Sequence, residues 1–163
     1  MQLARSDRSS KGACFRIELI TAPQWPAVSA ASRLFCALLP EGWSSHAIAS
    51  LLHAGRGRLW LAHAQAALAG AMLAERILDE MHLLQLAVHP SWRRRGLARA
   101  LLAKLEEEPG IRRLLLEVRP SNRAAIALYR ACRWRLIGKR RGYYAATQSH
   151  PAEDALVFVK ELS

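Results

Sequence analysis

No apolar run in this 163-residue chain approaches the length of a membrane-spanning helix, and the most apolar tract, Ala66 to Ala74, is far too short for one. The first fourteen residues hold no continuous apolar stretch, which argues against a secretory leader. Cysteine is scarce. Cys14, Cys36 and Cys132 lie far apart and no C-x-x-C spacing occurs, so neither a zinc site nor a redox motif is suggested. Reduced thiols in a cytoplasmic protein are the expectation. Six histidines are present, but none pairs with another at metal-ligand spacing, and no metal is implied.

Acidic residues are also few, 13 against 24 Lys and Arg, for a net charge of +11. The imbalance peaks between Arg112 and Arg141, where Glu117 is the single acid. Such a field attracts polyanions, either a phosphorylated cofactor or RNA, although a solvated arginine-rich face has the same composition. With 52% apolar and 23% charged residues, the chain otherwise reads as an ordinary globular protein.

The pattern along the chain is α/β. Residues 1–12 are polar and patternless, as in a flexible arm, and residues 13–163 read as one domain. Phe15, Ile17 and Leu19 alternate with polar residues as in a half-buried strand. A helix is expected over Ala27 to Leu39, then a short one through Leu52 capped by a serine of Gly42-Trp43-Ser44-Ser45. Leu59 to Ala64 and Ala67 to Leu78 read as antiparallel strands, and Met81 to Val88 as a strand buried on both faces. Leu97, Leu101, Leu102 and Leu105 recur at helical spacing. Leu114 to Val118 is a strand, followed by a helix with Ser121 as its N-cap. Trp134 to Ile137 and Ala155 to Val159 close the chain as strands, with Gly138 to Asp154 as a loop between them.

The segment with most chemical content is His89-Pro90 followed by Arg93-Arg94-Arg95-Gly96-Leu97-Ala98, set between a strand and an amphipathic helix. Diphosphate recognition needs donors that converge on a small volume. A helix N-terminus provides unpaired N–H groups and a favourable dipole. Glycine lets backbone approach a ligand closely, and arginines add charge-assisted bonds.

These residues resemble the acetyl-CoA loop of the GNAT superfamily of acetyltransferases, Q/R-x-x-G-x-G/A, with Arg93, Gly96 and Ala98 at the matching positions. Leu86-Ala87-Val88-x-Pro90 before the loop and Leu116-Glu117-Val118-Arg119-x-Ser121-Asn122 through Tyr129 after it are similar to the RimI family, as are Tyr143-Tyr144 and Glu153-Asp154-Ala155. That family acetylates the N-terminal alanine of a small-subunit ribosomal protein. The resemblance implies the GNAT fold, a mixed, mostly antiparallel sheet with splayed middle strands and flanking helices. It implies acetyl-CoA as co-substrate, with its pantetheine arm along Leu86, Ala87 and Val88. The pyrophosphate would lie on the amides of Arg94, Arg95, Gly96, Leu97, Ala98 and Arg99, with Asn122 as a further contact.

Acetyl transfer to an amine needs a base to deprotonate the ammonium and an acid to protonate the departing thiolate. Direct attack needs no nucleophilic cysteine. Glu117, a lone acid that interrupts an apolar strand, is the base candidate, and the resemblance assigns it that role. The plainer reading is a strand glutamate in solvent or paired with Arg119 or Arg112, and close arginines would make it a poorer base. Tyr129 is the acid candidate, again by resemblance, against core packing with a backbone-satisfied hydroxyl. His89 reads as a loop residue. Tyr143 and Tyr144 either line the acceptor groove or pack in a loop.

Three departures stand out. The helix after the loop is shorter than usual, Arg133-Trp134 replaces the family's Gly-Phe, and Gly42-Trp43-Ser44 replaces Pro-Trp-Ser. Losing the glycine removes the residue best suited to a left-handed helix cap. The expected acceptor is a protein N-terminus, most specifically a ribosomal protein's alanine, with ribosomal RNA as a further contact for the basic surface. The alternatives are another amine (a lysine, an antibiotic or a polyamine) and a non-enzymatic RNA-binding domain on the same fold.

Overall fold

A computed structural model describes residues 14–163, so the arm expected over residues 1–12 lies outside the described residues. Strand β1 (Phe15–Ile20) leads to helices α1 (Trp25–Leu38) and α2 (Ser45–His53). Then come β2 (Gly57–Ala64), β3 (Ala67–Ile77) and β4 (Glu80–Val88). Helix α3 (Leu97–Glu106), β5 (Arg113–Val118), α4 (Arg123–Ala131), β6 (Arg135–Tyr144) and β7 (Glu153–Glu161) complete the order. The strands form one sheet in the order β1-β2-β3-β4-β5-β7-β6. Every neighbouring pair is antiparallel except β4 and β5, which run parallel on either side of the α3 crossover. The mixed, mostly antiparallel sheet expected above is what the chain forms.

Each face of the sheet carries its own core. Val28, Ala31 and Phe35 of α1 and Ile48, Leu51 and Leu52 of α2 pack on Leu59, Leu61, Ala71 and Leu73. On the other face Leu97, Leu101, Leu102 and Leu105 of α3 and Tyr129 of α4 meet Trp60, Met72, Leu83, Leu116 and Phe158. The small residues around Gly70 serve this packing. A Cβ at Gly70 would sit 3.2 Å from a Leu97 methyl and 3.1 Å from the Ala87 carbonyl oxygen, so a side chain there would press on α3 where it packs on β3. Among the described residues no helix is long and apolar enough to cross a membrane.

Three local expectations need correction. Helix α4 is capped by Asn122, whose side chain accepts from the Ala125 N–H, because the Ser121 hydroxyl donates to Glu153 at 2.7 Å instead. Strand β6 runs to Tyr144, because its residues pair with β7 as far as Tyr144 opposite Glu153, which shortens the expected loop. Strand β4 alternates buried and half-buried residues rather than being buried throughout. Among the described residues no strand pairs with it on the β5 side beyond Leu83. Glycine at position 42 has a steric reason: a Cβ there would stand 2.5 Å from the Cys36 backbone, so only glycine lets the α1–α2 connection fold back on α1.

Candidate active site

The site is an opening in the sheet. Strands β4 and β5 pair only from Glu80 opposite Arg113 to Leu83 opposite Leu116. At that point Leu84 is skipped in the β3–β4 register, a bulge that bends β4 away from β5. Leu86, Ala87 and Val88 stay paired to β3, while their β5-facing side is left free of strand pairing. Across the gap, Glu117 and Val118 pair with β7 alone. This is the splay that the resemblance implied.

The loop at the mouth of the opening is shaped by its own side chains. His89 Nδ1 accepts from the Ser91 N–H at 3.2 Å and caps a 3-10 turn over Pro90–Trp92, a role open to any side chain with an acceptor there. The Arg93 side chain returns to donate to the Val88 carbonyl, and Arg95 stacks on Trp92 at 4.9 Å. Arg94 and Gly96 both have positive φ, 62° and 81°. Gly96 caps α3 with no side chain, so the amides of Leu97, Ala98 and Arg99 have no intrahelical acceptor. Among the described residues nothing lies within 4 Å of where a Gly96 Cβ would stand. Open space, unpaired N–H groups, a helix dipole and the exposed Arg94, Arg95 and Arg99 fit a diphosphate.

Glu117 and Tyr129 approach the opening from opposite faces of the sheet. The neighbours of Glu117 in β5, Leu116 and Val118, point into the α3–α4 core, so its own side chain points the other way. It accepts a hydrogen bond from Arg140 Nη1 at 3.0 Å, and its ion-pair partner is this arginine of β6 rather than Arg112 or Arg119. Tyr129 is 7% exposed, with Trp134 and Phe158 against its ring at centroid distances of 5.9 and 6.3 Å. Among the described residues no backbone group accepts from its hydroxyl, nor is that oxygen sealed away without a partner. Burial pushes the Tyr129 pKa well above the usual phenol value, so the group stays protonated. Tyr144 links the two. Its own pKa is raised by burial first, then by the nearby Tyr143 and the carboxylates of Glu117 and Glu41, and it in turn raises that of Tyr129.

The side of the opening away from the loop is tied together by residues that sequence reasoning missed. Arg119, 6% exposed, bonds Glu41 of the α1–α2 connection, Glu153 of β7 at 3.0 Å and the Pro151 carbonyl at 3.3 Å, and lies 4.4 Å from the Tyr144 ring centroid. Gln85 of β4 accepts from the Trp43 N–H and donates to the Glu41 carbonyl, both at 3.2 Å. The signals were available. Gln85 interrupts the apolar run from Leu83 to Val88, and Arg119 ends another. Asn122, expected at the cofactor, spends its side-chain oxygen on the α4 cap. Cys14, Cys36 and Cys132 are free thiols. Among the described residues no three His, Cys, Asp or Glu side chains cluster as a metal site.

Comparison with known proteins agrees with this geometry. Residues 28–133 match the Acetyltransferase (GNAT) family. The [Ribosomal protein bS18]-alanine N-acetyltransferase of Salmonella typhimurium is 41% identical over 99 residues, 59% of this chain and 66% of that protein. Its Escherichia coli K12 counterpart is 40% identical over the same span. The match thus spans slightly less than two thirds of the curated relatives' length. The crystal structure of the Escherichia coli ribosomal-protein-S18-alanine N-acetyltransferase superimposes with a TM-score of 0.77 at 31% identity, covering 90% of this chain and 94% of that one. Arabidopsis thaliana NAA60 in complex with acetyl-CoA shares the fold, with a TM-score of 0.77 at 21% identity over 90% of this chain and 98% of its own.

Proposed function

Because the chain belongs to the Acetyltransferase (GNAT) family, we propose that it transfers acetyl from acetyl-CoA to the N-terminal amine of a protein, most specifically the N-terminal alanine of a ribosomal protein of the S18 kind. The observation that carries this reading is the splay after Leu83 and Leu116, which leaves Glu117 at an opening whose other end is the unpaired N-terminus of α3. The similarity to two [Ribosomal protein bS18]-alanine N-acetyltransferases supports the choice of acceptor.

In this reading acetyl-CoA supplies an activated thioester. The amides of Arg94 to Arg99 bind its diphosphate, Leu86, Ala87 and Val88 offer their free edge to the pantetheine arm, and Asn122 adds a contact through its amide nitrogen. Glu117 takes the proton of the acceptor's ammonium, directly or through a water, which frees the lone pair for attack. Tyr129, kept protonated by burial, gives its proton to the departing sulfur. Arg119 and Gln85 hold the α1–α2 connection in place as the acceptor-side wall. Tyr143 and Tyr144 add an aromatic surface there. The arginines of α4 and β6 that have no ion-pair partner among the described residues suit ribosomal RNA as the platform that presents the acceptor.

The test is mass spectrometry after incubation with acetyl-CoA and synthetic peptides beginning with Ala, Ser, Met or Gly, alongside a peptide whose only amine is a lysine. Acetylation at the N-terminus, fastest on Ala, is expected. Modification of lysine alone sinks the assignment. Glu117→Gln is expected to reduce turnover by about two to four orders of magnitude.

A further inference from the structure

Arg140 makes a contact that the chemistry above does not use. It stands opposite Ala155 in the β6–β7 register, and Glu117 stands opposite Val157 in the β5–β7 register. Ala155 and Val157 are two apart on β7 and share a face, so Arg140 and Glu117 lie on that face with β7 between them. The small Ala155 side chain leaves room for the guanidinium to cross and bond Glu117 Oε1 at 3.0 Å. Its guanidinium carbon rests 4.3 Å from the Tyr143 ring centroid. The other charged or titratable groups around Glu117 are otherwise engaged. Arg119 from β5 is held by Glu41 of the α1–α2 connection and Glu153 of β7, while Tyr144 of β6 lies against Arg119. Arg140 is thus the one cation that touches Glu117 among the described residues.

An acceptor amine arrives as a cation and must reach this same carboxylate. Arginine cannot give up its proton at working pH, so it can hold the place without reacting. Its side chain is 55% exposed, which leaves it free to swing into solvent. We propose that Arg140 is a placeholder that occupies the acceptor-amine position on Glu117 and is displaced by an acceptor anchored elsewhere in the groove. This rests on the acceptor-side reading of Glu117 given above. The competition costs every acceptor alike: a peptide has contacts beyond its amine that offset the displaced ion pair, whereas a small free amine is left with weak binding.

The test compares wild type, Arg140→Gln and Arg140→Lys with an alanyl peptide and with alaninamide, in both cases following kcat and KM for the acceptor. Arg140→Gln is expected to lower the KM for both acceptors by about two- to five-fold, the range of an exposed ion pair, while Arg140→Lys returns it toward wild type. A KM that rises in Arg140→Gln makes Arg140 an acceptor contact and overturns the proposal. A KM that does not move in either variant reduces the pair to a surface contact and also overturns it. Far-UV circular dichroism and acetyl-CoA affinity check that the variants fold. Turnover of Glu117→Gln judges the base assignment separately. If that enzyme keeps wild-type turnover while Arg140→Gln still lowers KM, Glu117 is not the base and the placeholder role stands.

Discussion

Trp134 closes helix α4 over Tyr129: its backbone N–H bonds the Tyr129 carbonyl at 3.0 Å while its indole lies against the phenol ring. Together with the Arg133 N–H on the Arg130 carbonyl, also at 3.0 Å, this is a Schellman turn. The turn survives without its usual glycine, because Arg133 itself adopts the left-handed conformation at φ 66°. The acid candidate is therefore oriented by a cap held under strain.

Relieving that strain is expected to stabilise the protein. A non-glycine residue in the left-handed region costs roughly 1–2 kcal/mol, part of which returns as greater freedom of a glycine in the unfolded chain. Arg133→Gly should gain about 1 kcal/mol, seen as a rise of roughly 2–4 °C in thermal midpoint. A midpoint that falls would mean that the Arg133 side chain contributes more than its backbone strain removes.

Tyr129→Phe separates chemistry from packing at the same position. The ring contacts with Trp134 and Phe158 are kept, and among the described residues no hydrogen bond of the hydroxyl is lost. The thermal midpoint should stay put while kcat falls by about two to four orders of magnitude. Wild-type turnover in this variant would return Tyr129 to a purely structural role.

How much of this was legible beforehand follows from the range of the interactions. The helices could be read because their leucines repeat at helical spacing, and the loop because glycine, arginine and a helix start fall together. The splay could be implied but not located, since it depends on Leu84 being skipped against β3, a matter of register between strands. Arg119 and Glu41 are 78 residues apart, and Arg140 and Glu117 are 23 apart. Charges at such distances carry no local pattern, so which arginine meets which acid is settled only by folding. The N-cap of α4 went to Asn122 for the same reason, because a distant Glu153 claimed Ser121.

Glu153 also gives the fold a pH dependence. Donation from the Ser121 hydroxyl, then from Arg119 and the Ser121 N–H, holds its pKa below the ordinary carboxylate value, with desolvation opposing. A lowered folded-state pKa means stability that is complete above the unfolded value and lost as pH falls through the folded one. The urea midpoint should therefore decline below about pH 5, and Glu153→Gln should flatten that decline while lowering the midpoint at pH 7. Asp154, lowered by the Gly142 N–H and Lys139, remains, so the slope is reduced rather than removed. An unchanged slope would show that the Glu153 cluster does not couple to folding.

Gly96 offers the sharpest test of the cofactor end, because stability and binding should separate there. An aspartate tolerates the left-handed φ of 81° better than most residues, and none of the described residues lies within 4 Å of its Cβ. Its carboxylate would sit beside the free amides of α3, where a negative charge favours the helix. The same charge would stand where the diphosphate belongs and repel it. Gly96→Asp should thus keep its folding free energy within about 1 kcal/mol of wild type while losing acetyl-CoA affinity by at least about 100-fold. Isothermal titration together with thermal unfolding reads both quantities on one sample. Wild-type acetyl-CoA affinity in a folded Gly96→Asp protein would move the diphosphate site away from the N-terminus of α3.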